Sequence, residues 1–560
     1  METTDKLSCN ILADLLAAHG VKRIVSSPGS RNAPIIVALS RRQELTCNVV
    51  IDERSAAFVA LGIAVQSGEP TAIVCTSGTA LLNYAPAVAE AFYRGVPLIV
   101  VSADRPEEWI DQDDSQTLWQ PGVLDKIVKR TWDIPARIDC QDARWSVNRM
   151  INDALIEATT GRRGPAHLNI RLDAPLSRMT DYSPGSARVI NMVKPVTELS
   201  TREARELGAK IGSPRRVMVI AGFHEPDERL TRALAKMAVL PNVVVLTETI
   251  ANLHSPLFIS RIDTTLSAMS DDEKREMRPD VVITVGGALV SRHIKEYVRS
   301  LPGVEHWSVG ENHATVDCFR YLTYRIDMPA TVFMRQLASA MQPFREKCDY
   351  SERWRRIYRR AIVRHDGYVA NAPWSDLVAI SHIIKNIPRG WNLHLSNGTP
   401  VRYAQLMDCS EIHRSDCNRG VSGIDGCSST ALGASTVYRG VTLLITGDMS
   451  CQYDLSALSS TLMSPRMKII VMCNGGGGIF RFIGSTSTLP ELDRFFAGPV
   501  NLPLAQIAEG YGISYFEADS IGSLESSFRK FAAETERPAL LAVRTPAELS
   551  AKVLKEYFSR

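Results

Sequence analysis

The chain lacks the marks of several large function classes. Its eleven cysteines form no CxxC pair and no zinc-like spacing. An odd count, with a polar start (Met1-Glu2-Thr3-Thr4-Asp5-Lys6) unlike a signal or transit peptide, argues for reduced thiols and a cytoplasmic location. The eleven histidines contain no HExxH, which argues against a zinc enzyme. No apolar run approaches the roughly 20 residues that cross a bilayer, so no membrane partner is expected. Net charge is only +3, from 64 basic and 61 acidic side chains, and no global field marks a nucleic-acid binder. What is present is a globular composition, 45% hydrophobic and 22% charged over 560 residues. That length suits about three or four domains of ordinary size.

Three α/β stretches alternate with two less regular ones. The first, residues 1–180, has strand-like Arg23-Ile24-Val25-Ser26, Val49-Val50-Ile51, Ala72-Ile73-Val74-Cys75 and Leu98-Ile99-Val100-Val101, with helical patterns between them. The second, 200–342, has Val217-Met218-Val219-Ile220, Val243-Val244-Val245-Leu246 and Val281-Val282-Ile283-Thr284. Its strand-then-glycine turns contain no GxGxxG, so a structural Rossmann-like domain is expected rather than a dinucleotide site. The third is 373–560. Alternation of this kind predicts doubly wound, mostly parallel sheets in three α/β domains. Residues 181–200 read as a linker, and the basic 343–372 segment (Arg345, Lys347, Arg353, Arg355, Arg356) as helix plus connector.

Two loops of the third stretch carry chemistry. Gly447-Asp448-Met449-Ser450 follows the apolar run 441–446, and Asn474-Gly475-Gly476-Gly477-Gly478 follows 467–473. Two parallel strands would place both loops at their carboxyl ends, where open α/β sheets bind ligands. One carboxylate, one amide oxygen and a glycine-rich backbone suit Mg²⁺, which takes octahedral oxygen ligands and shares them with phosphates. The plainer alternative is a glycine-rich turn with Asp448 as a helix cap. Glu53, between a strand and a helix, would also sit at a sheet's ligand edge, or else serve only as a first-turn charge.

The spacing of Asp448 and Asn474, 26 positions, resembles the fingerprint of thiamine-diphosphate (ThDP) enzymes, with Cys473 in place of the first Asn of the usual pair. The segments Ser27-Pro28-Gly29-Ser30-Arg31-Asn32-Ala33-Pro34, Ile51-Asp52-Glu53-Arg54, Thr76-Ser77-Gly78-Thr79-Ala80, Ser102-Ala103-Asp104-Arg105-Pro106 and Asn418-Arg419-Gly420-Val421-Ser422-Gly423-Ile424-Asp425-Gly426 resemble, more narrowly, the MenD family of menaquinone biosynthesis. The resemblance implies an aminopyrimidine-binding domain (1–180), a central domain (200–342) and a diphosphate-binding domain (373–560). It implies ThDP with Mg²⁺ or Mn²⁺, decarboxylation of 2-oxoglutarate, and 1,4-addition of a succinyl semialdehyde carbanion equivalent to isochorismate.

The same resemblance assigns residues. Glu53 would hydrogen-bond N1′ of the aminopyrimidine as the catalytic carboxylate, and Asp448, Asn474 and the Gly476 carbonyl would hold the metal. Asn397, Thr399, Gly423, Ile424, Gly447, Met449, Ser450, Ile479 and Phe480 would line the cofactor. Arg402 and Arg419 fall on the oxoglutarate side; Ser30, Arg31, Arg105 and Gln116 fall on the isochorismate side. Arginine suits this task because its fork grips carboxylates in two places. Arg292 stands where the family has a Lys, with Lys295 as a competitor. Gly398 stands where the family has a Ser, with Ser396 or Thr399 as the alternative hydroxyl. The resemblance further implies a homodimer or homotetramer, because the glutamate and metal loops of one site come from two subunits. The alternatives are another ThDP-dependent 2-oxoacid decarboxylase or carboligase, or a catalytically silent diphosphate-binding relative. Both Glu53 and Asp448 are present, which argues against the silent form.

Overall fold

The computed structural model describes residues 1–114, 116–212, 215–311, 315–341 and 348–559. Its core is three doubly wound sheets, two of six strands and one of five. In spatial order the first sheet runs Thr46–Val49, Arg23–Ser26, Thr71–Cys75, Leu98–Asp104, Ala166–Arg171 and Thr131–Ile134, parallel throughout. Successive residues of one strand enter opposite cores. Ile24, Ala72 and Val74 pack in one, while Val25, Ile73 and Cys75 pack in the other. Strands covered on both faces need such unbroken apolar runs.

The strand expected at Val49-Val50-Ile51 lies earlier, at Thr46–Val49. Its four residues match the four of its partner Arg23–Ser26. Val50 and Ile51 instead lead to Asp52, whose carboxylate caps the following helix by accepting from Ser55 N at 3.2 Å. Helix Glu53–Ser67 thus begins on Glu53 itself.

The last sheet repeats the strand order of the first: Arg414–Asp416, Asn392–Leu395, Thr442–Gly447, Met467–Cys473, Ala539–Arg544 and Ser514–Ala518. In both sheets the chain reverses its direction of winding at the first strand. The crevice of such a sheet opens there, between the first and third strands. The five-stranded sheet runs Val243–Thr247, Val217–Ala221, Val281–Val285, Glu305–Val309 and Leu322–Ile326, all parallel. Its glycines serve packing, since a Cβ on Gly222 would lie 2.3 Å from the Gly287 carbonyl oxygen. Of the basic segment, helix Tyr350–Asn371 carries Arg353, Arg355 and Arg356, whereas Arg345 and Lys347 lie outside the described residues.

The chain divides into two units. One comprises Met1–Lys194, Gly420–Thr442 and Tyr453–Met467; the other comprises Pro195–Arg419, Leu443–Gln452 and Lys468–Arg560. In the first unit, helix Glu53–Ser67 packs against helix Cys427–Val437 through glycines on both sides. A Cβ on Gly433 would lie 2.0 Å from Val59 O, and one on Gly62 would lie 2.0 Å from Thr430 O. Backbone cannot yield as a flexible side chain does. Gly433→Ala should therefore cost about 1–3 kcal/mol, read as a lower denaturation midpoint at unchanged m-value.

Candidate active site

In the first unit, the ends of three strands of one sheet carry the expected residues. Glu53 starts the helix after Thr46–Val49, and the turn it occupies is tied to the segment 453–456. Arg54 donates to Tyr453 O at 2.7 Å and lies over the Tyr453 ring. Ser55 Oγ is 2.6 Å from Ser456 Oγ and donates to Asp454 at 3.3 Å. Buried Asp454 also accepts from Ser429 N (2.6 Å) and Oγ (2.7 Å). Burial pushes its carboxyl up to about 6, against the opposing pull of the Ser429 bonds and Arg54.

Ser30 and Arg31 occupy the loop after Arg23–Ser26, and Arg105 follows Leu98–Asp104. Ser30 is exposed. Arg31 donates to Leu172 O at 3.0 Å, and Arg105 pairs with Asp114 at 2.5 Å. Partial burial, then repulsion from Arg105, holds the Arg31 guanidinium below its usual range, so these two cations share one neighbourhood. Gln116 takes a left-handed backbone (φ 60°), and its carbonyl accepts from Ser77 Oγ at 2.9 Å. Ser30, Arg31, Arg105, Gln116 and Glu53 are thus all carried on the ligand edge of one sheet. Gly423 and Ile424 lie in the loop ahead of helix Cys427–Val437. Glu90 braces that loop, accepting from Gly420 N (2.7 Å) and Val421 N (2.8 Å).

In the second unit, Asp448 and Asn474 stand at adjacent strand ends, as their spacing predicts. Asp448 accepts from Met449 N (2.8 Å), Gly475 N (2.8 Å) and Gly476 N (3.1 Å). Burial nonetheless raises its carboxyl to about 6, with Asp376 adding to the effect. A buried carboxylate that three N–H donors leave above its ordinary range is one that a cation would stabilise. Asn474 donates its amide N–H to buried Asp376 at 2.9 Å, so its amide oxygen is the atom it can offer a metal. Gly476 has φ 144°, and a Cβ there would lie 2.2 Å from the Ala497 and Gly498 carbonyl oxygens. Its own carbonyl accepts from Gly478 N at 2.9 Å and keeps a second lone pair. No group of three His, Cys, Asp or Glu side chains able to hold a metal occurs among the described residues. A cation here would take one carboxylate, one amide oxygen and backbone, and complete its shell with phosphate oxygens and water. This donor set fits Mg²⁺-diphosphate.

Of the remaining cofactor candidates, Gly447 N lies 3.3 Å from Ser396 Oγ, while Met449 approaches Gly498 and Ser450 is buried. Asn397 bridges Asn418 O (2.6 Å) and Arg419 Nη1 (2.9 Å). A cavity of about 390 Å³ is lined by Arg292, Thr399, Arg402, Tyr403, Phe482 and Phe558, among others. The two hydroxyls left open by Gly398 are therefore placed differently: Ser396 beside the end of strand Thr442–Gly447 and Thr399 on the cavity. Burial first, then repulsion from Arg419 and Arg292, holds Arg402 below its usual range, and its buried Nε has no hydrogen-bond partner. Lys295 is turned to Leu289 O at 2.8 Å, whereas Arg292 lines the cavity. Ile479 and Phe480 lie on the short helix Gly478–Arg481; from this stretch of chain the residues that line the cavity are Phe482 and Ile483, just beyond the helix, beside Leu406, Leu554 and Phe558 from elsewhere.

Sequence reasoning missed Glu90, Asp376, Glu248 and the Phe482–Ile483 wall. Glu90 left a signal, since it interrupts the apolar face of Ala87, Val88 and Ala91. So did Glu248, a carboxylate directly after the buried strand Val243–Thr247.

Comparisons with known proteins identify the class. Residues 9–123 match the model of the thiamine pyrophosphate enzyme N-terminal TPP binding domain, and residues 399–543 match that of the C-terminal TPP binding domain. The chain is thus a ThDP enzyme, and the cofactor set of this class is ThDP with a divalent metal. Three similar curated proteins are each named 2-succinyl-5-enolpyruvyl-6-hydroxy-3-cyclohexene-1-carboxylate synthase. That of Porphyromonas gingivalis is 41% identical, covering 99% of this chain and 97% of the relative. Those of Flavobacterium johnsoniae (36%; 98% and 97%) and Bacteroides thetaiotaomicron (35%; 99% and 99%) follow. The chain belongs to the 2-succinyl-5-enolpyruvyl-6-hydroxy-3-cyclohexene-1-carboxylate synthase family, MenD.

If Asp448 is the metal ligand, Asp448→Ala should weaken Mg²⁺-dependent ThDP affinity at least about tenfold. Calorimetric titration of ThDP with and without Mg²⁺ reads this directly, and an unchanged affinity would place the metal elsewhere.

Proposed function

We propose that this chain, with ThDP and Mg²⁺ or Mn²⁺, decarboxylates 2-oxoglutarate and adds the succinyl semialdehyde carbanion equivalent in a 1,4 sense to isochorismate. The product is 2-succinyl-5-enolpyruvyl-6-hydroxy-3-cyclohexene-1-carboxylate, in menaquinone biosynthesis. The observation that carries the substrate assignment is the arginine cluster of Arg292, Arg402 and Arg419. Cations that repel one another, one with a buried unpartnered Nε, call for an anionic ligand; a dicarboxylic oxoacid supplies two carboxylates.

When bound, ThDP supplies the electron sink for decarboxylation and carbon–carbon bond formation. The protein's part is to bind, orient and hold protons. Glu53 would accept a hydrogen bond at N1′ of the aminopyrimidine, keeping the opposite nitrogen basic. Arg402 and Arg419 would hold the oxoglutarate carboxylate, with Asn397 steadying Arg419. Arg31, Arg105, Gln116 and Ser30 would orient isochorismate. Asp448, the Asn474 oxygen and the Gly476 carbonyl would hold the metal against the diphosphate. Asn397, Thr399, Gly447, Met449 and Ser450 would line the cofactor, with Gly423 and Ile424 beneath its bend and Ile479 and Phe480 as apolar wall.

In this reading the three sheets belong to domains 1–180, 200–342 and 373–560, and two copies assemble so that each site draws on both. Exposed Val49, Ile51, Leu82 and Tyr453 near the Glu53 edge support such an apolar face. The eleven free thiols suit the cytoplasm. No helix among the described residues is long and apolar enough to cross a membrane.

Glu53→Gln should retain ThDP yet lose turnover by about 10²-fold or more; near-normal rates would remove Glu53 from the chemistry. Arg402→Ala should raise the KM for 2-oxoglutarate about tenfold or more, the loss of one charge-assisted contact. The KM for isochorismate should stay within about twofold. The reverse pattern would exchange the two pockets.

A further inference from the structure

The segment Leu289-Val290-Ser291, just ahead of helix Arg292–Arg299, is held by three charged side chains from three places in the fold. Glu248, 2% exposed at the end of strand Val243–Thr247, accepts from Val290 N (2.8 and 2.9 Å) and Ser291 N (2.7 Å). Asp263, buried in the short helix Ile262–Ser267, accepts from Ser291 Oγ. The same Oγ caps the helix by accepting from Ile294 N at 3.1 Å. Lys295 Nζ closes the segment by donating to Leu289 O at 2.8 Å.

A buried carboxylate costs several kcal/mol of desolvation, and two sit here within one loop's reach. Loop stability alone would be served by neutral acceptors. The clamped residue adjoining this loop is Arg292, and Asp263 itself lines the same cavity as Arg292 and Arg402. Among the described residues the ion pair of Arg292 is an exposed 3.4 Å contact with Glu296, which is worth little in holding a long side chain.

We propose that Glu248 is a positioning residue for the oxoacid pocket: it fixes the backbone at Val290 and Ser291, with Asp263 and Lys295, so that helix Arg292–Arg299 starts where Arg292 reaches the substrate's carboxylate. Lys295 then belongs to the clamp and does not touch substrate. The inference rests on the proposed substrate assignment, so its test needs a readout independent of turnover.

The experiment uses the full-length holoenzyme with ThDP and Mg²⁺, comparing wild type, Glu248→Gln, Ser291→Ala, Arg292→Ala and the Glu248→Gln/Arg292→Ala double variant. Hydrogen exchange at the Val290 and Ser291 amides should accelerate in Glu248→Gln by about tenfold or more, because Gln offers one weaker acceptor where two carboxylate oxygens served. Unchanged exchange there overturns the clamp, whatever the substrate proves to be. The KM for 2-oxoglutarate should rise about tenfold in Glu248→Gln, as loss of a supporting contact does, and less in Ser291→Ala. ThDP affinity and the isochorismate KM should stay within about twofold. The double variant should be little worse than Arg292→Ala, because a residue that acts through Arg292 has nothing left to position. Additive losses, or equal rises in both KM values, overturn the positioning role. If wild type ignores 2-oxoglutarate, the substrate assignment fails, and the exchange result alone decides the clamp.

Discussion

Buried carboxylates that accept from backbone N–H groups hold the ligand loops of this chain. Glu90 holds Gly420 and Val421; Glu248 holds Val290 and Ser291; Asp454 holds Ser429; Asp448 holds Met449, Gly475 and Gly476. Each charge-assisted bond contributes roughly 1.5–3 kcal/mol, and burying the anion costs several kcal/mol, so the two or three bonds on each carboxylate and its desolvation are of similar size. What such bonds add beyond net stability is a fixed backbone. A loop anchored through its amides keeps its side chains, or its glycine carbonyls, in one place.

That constraint explains how a repeated architecture can carry a divided task. The first and last sheets share one strand order and hence the same crevice between first and third strands. Evolution of chemistry then becomes a matter of which residues follow which strand. At the edge of the first sheet stand Glu53, Arg31 and Arg105; at the last stand Asn397, Asp448 and Asn474. The first set is rich in groups that grip carboxylates and protons, the second in hard oxygen donors. A cofactor with a heterocyclic end and a diphosphate end asks for that separation.

Much of this was legible in the sequence because it lies in short motifs after apolar strands. Strand-length runs located the sheets, and the 26-position spacing identified Asp448 and Asn474 as neighbours, which strand adjacency bears out. The strand before Glu53 lay a few residues earlier than expected, because pairing with a four-residue partner, not side-chain apolarity, ends it. Glu90 and Glu248 stand out as charges beside apolar residues, but what they hold was invisible for a different reason. Their partners are backbone amides far along the chain, 330 positions away for Glu90 and Gly420, and amides leave no sequence pattern. The Phe482–Ile483 wall depends on how a glycine-rich loop turns, which local propensity does not specify.

The arginines set the electrostatic demand of the site. Arg402 is held below its usual range by burial first and then by Arg419 and Arg292, against the opposing pull of Asp263, and its buried Nε has no hydrogen-bond partner among the described residues. The most direct measurement is a paired assay with ThDP and Mg²⁺, following CO₂ release from 2-oxoglutarate and loss of isochorismate absorbance. Each substrate is supplied alone and then together. Isochorismate loss that requires 2-oxoglutarate is the result predicted here. Decarboxylation of another 2-oxoacid with isochorismate untouched would contradict the assignment and leave only the cofactor site standing.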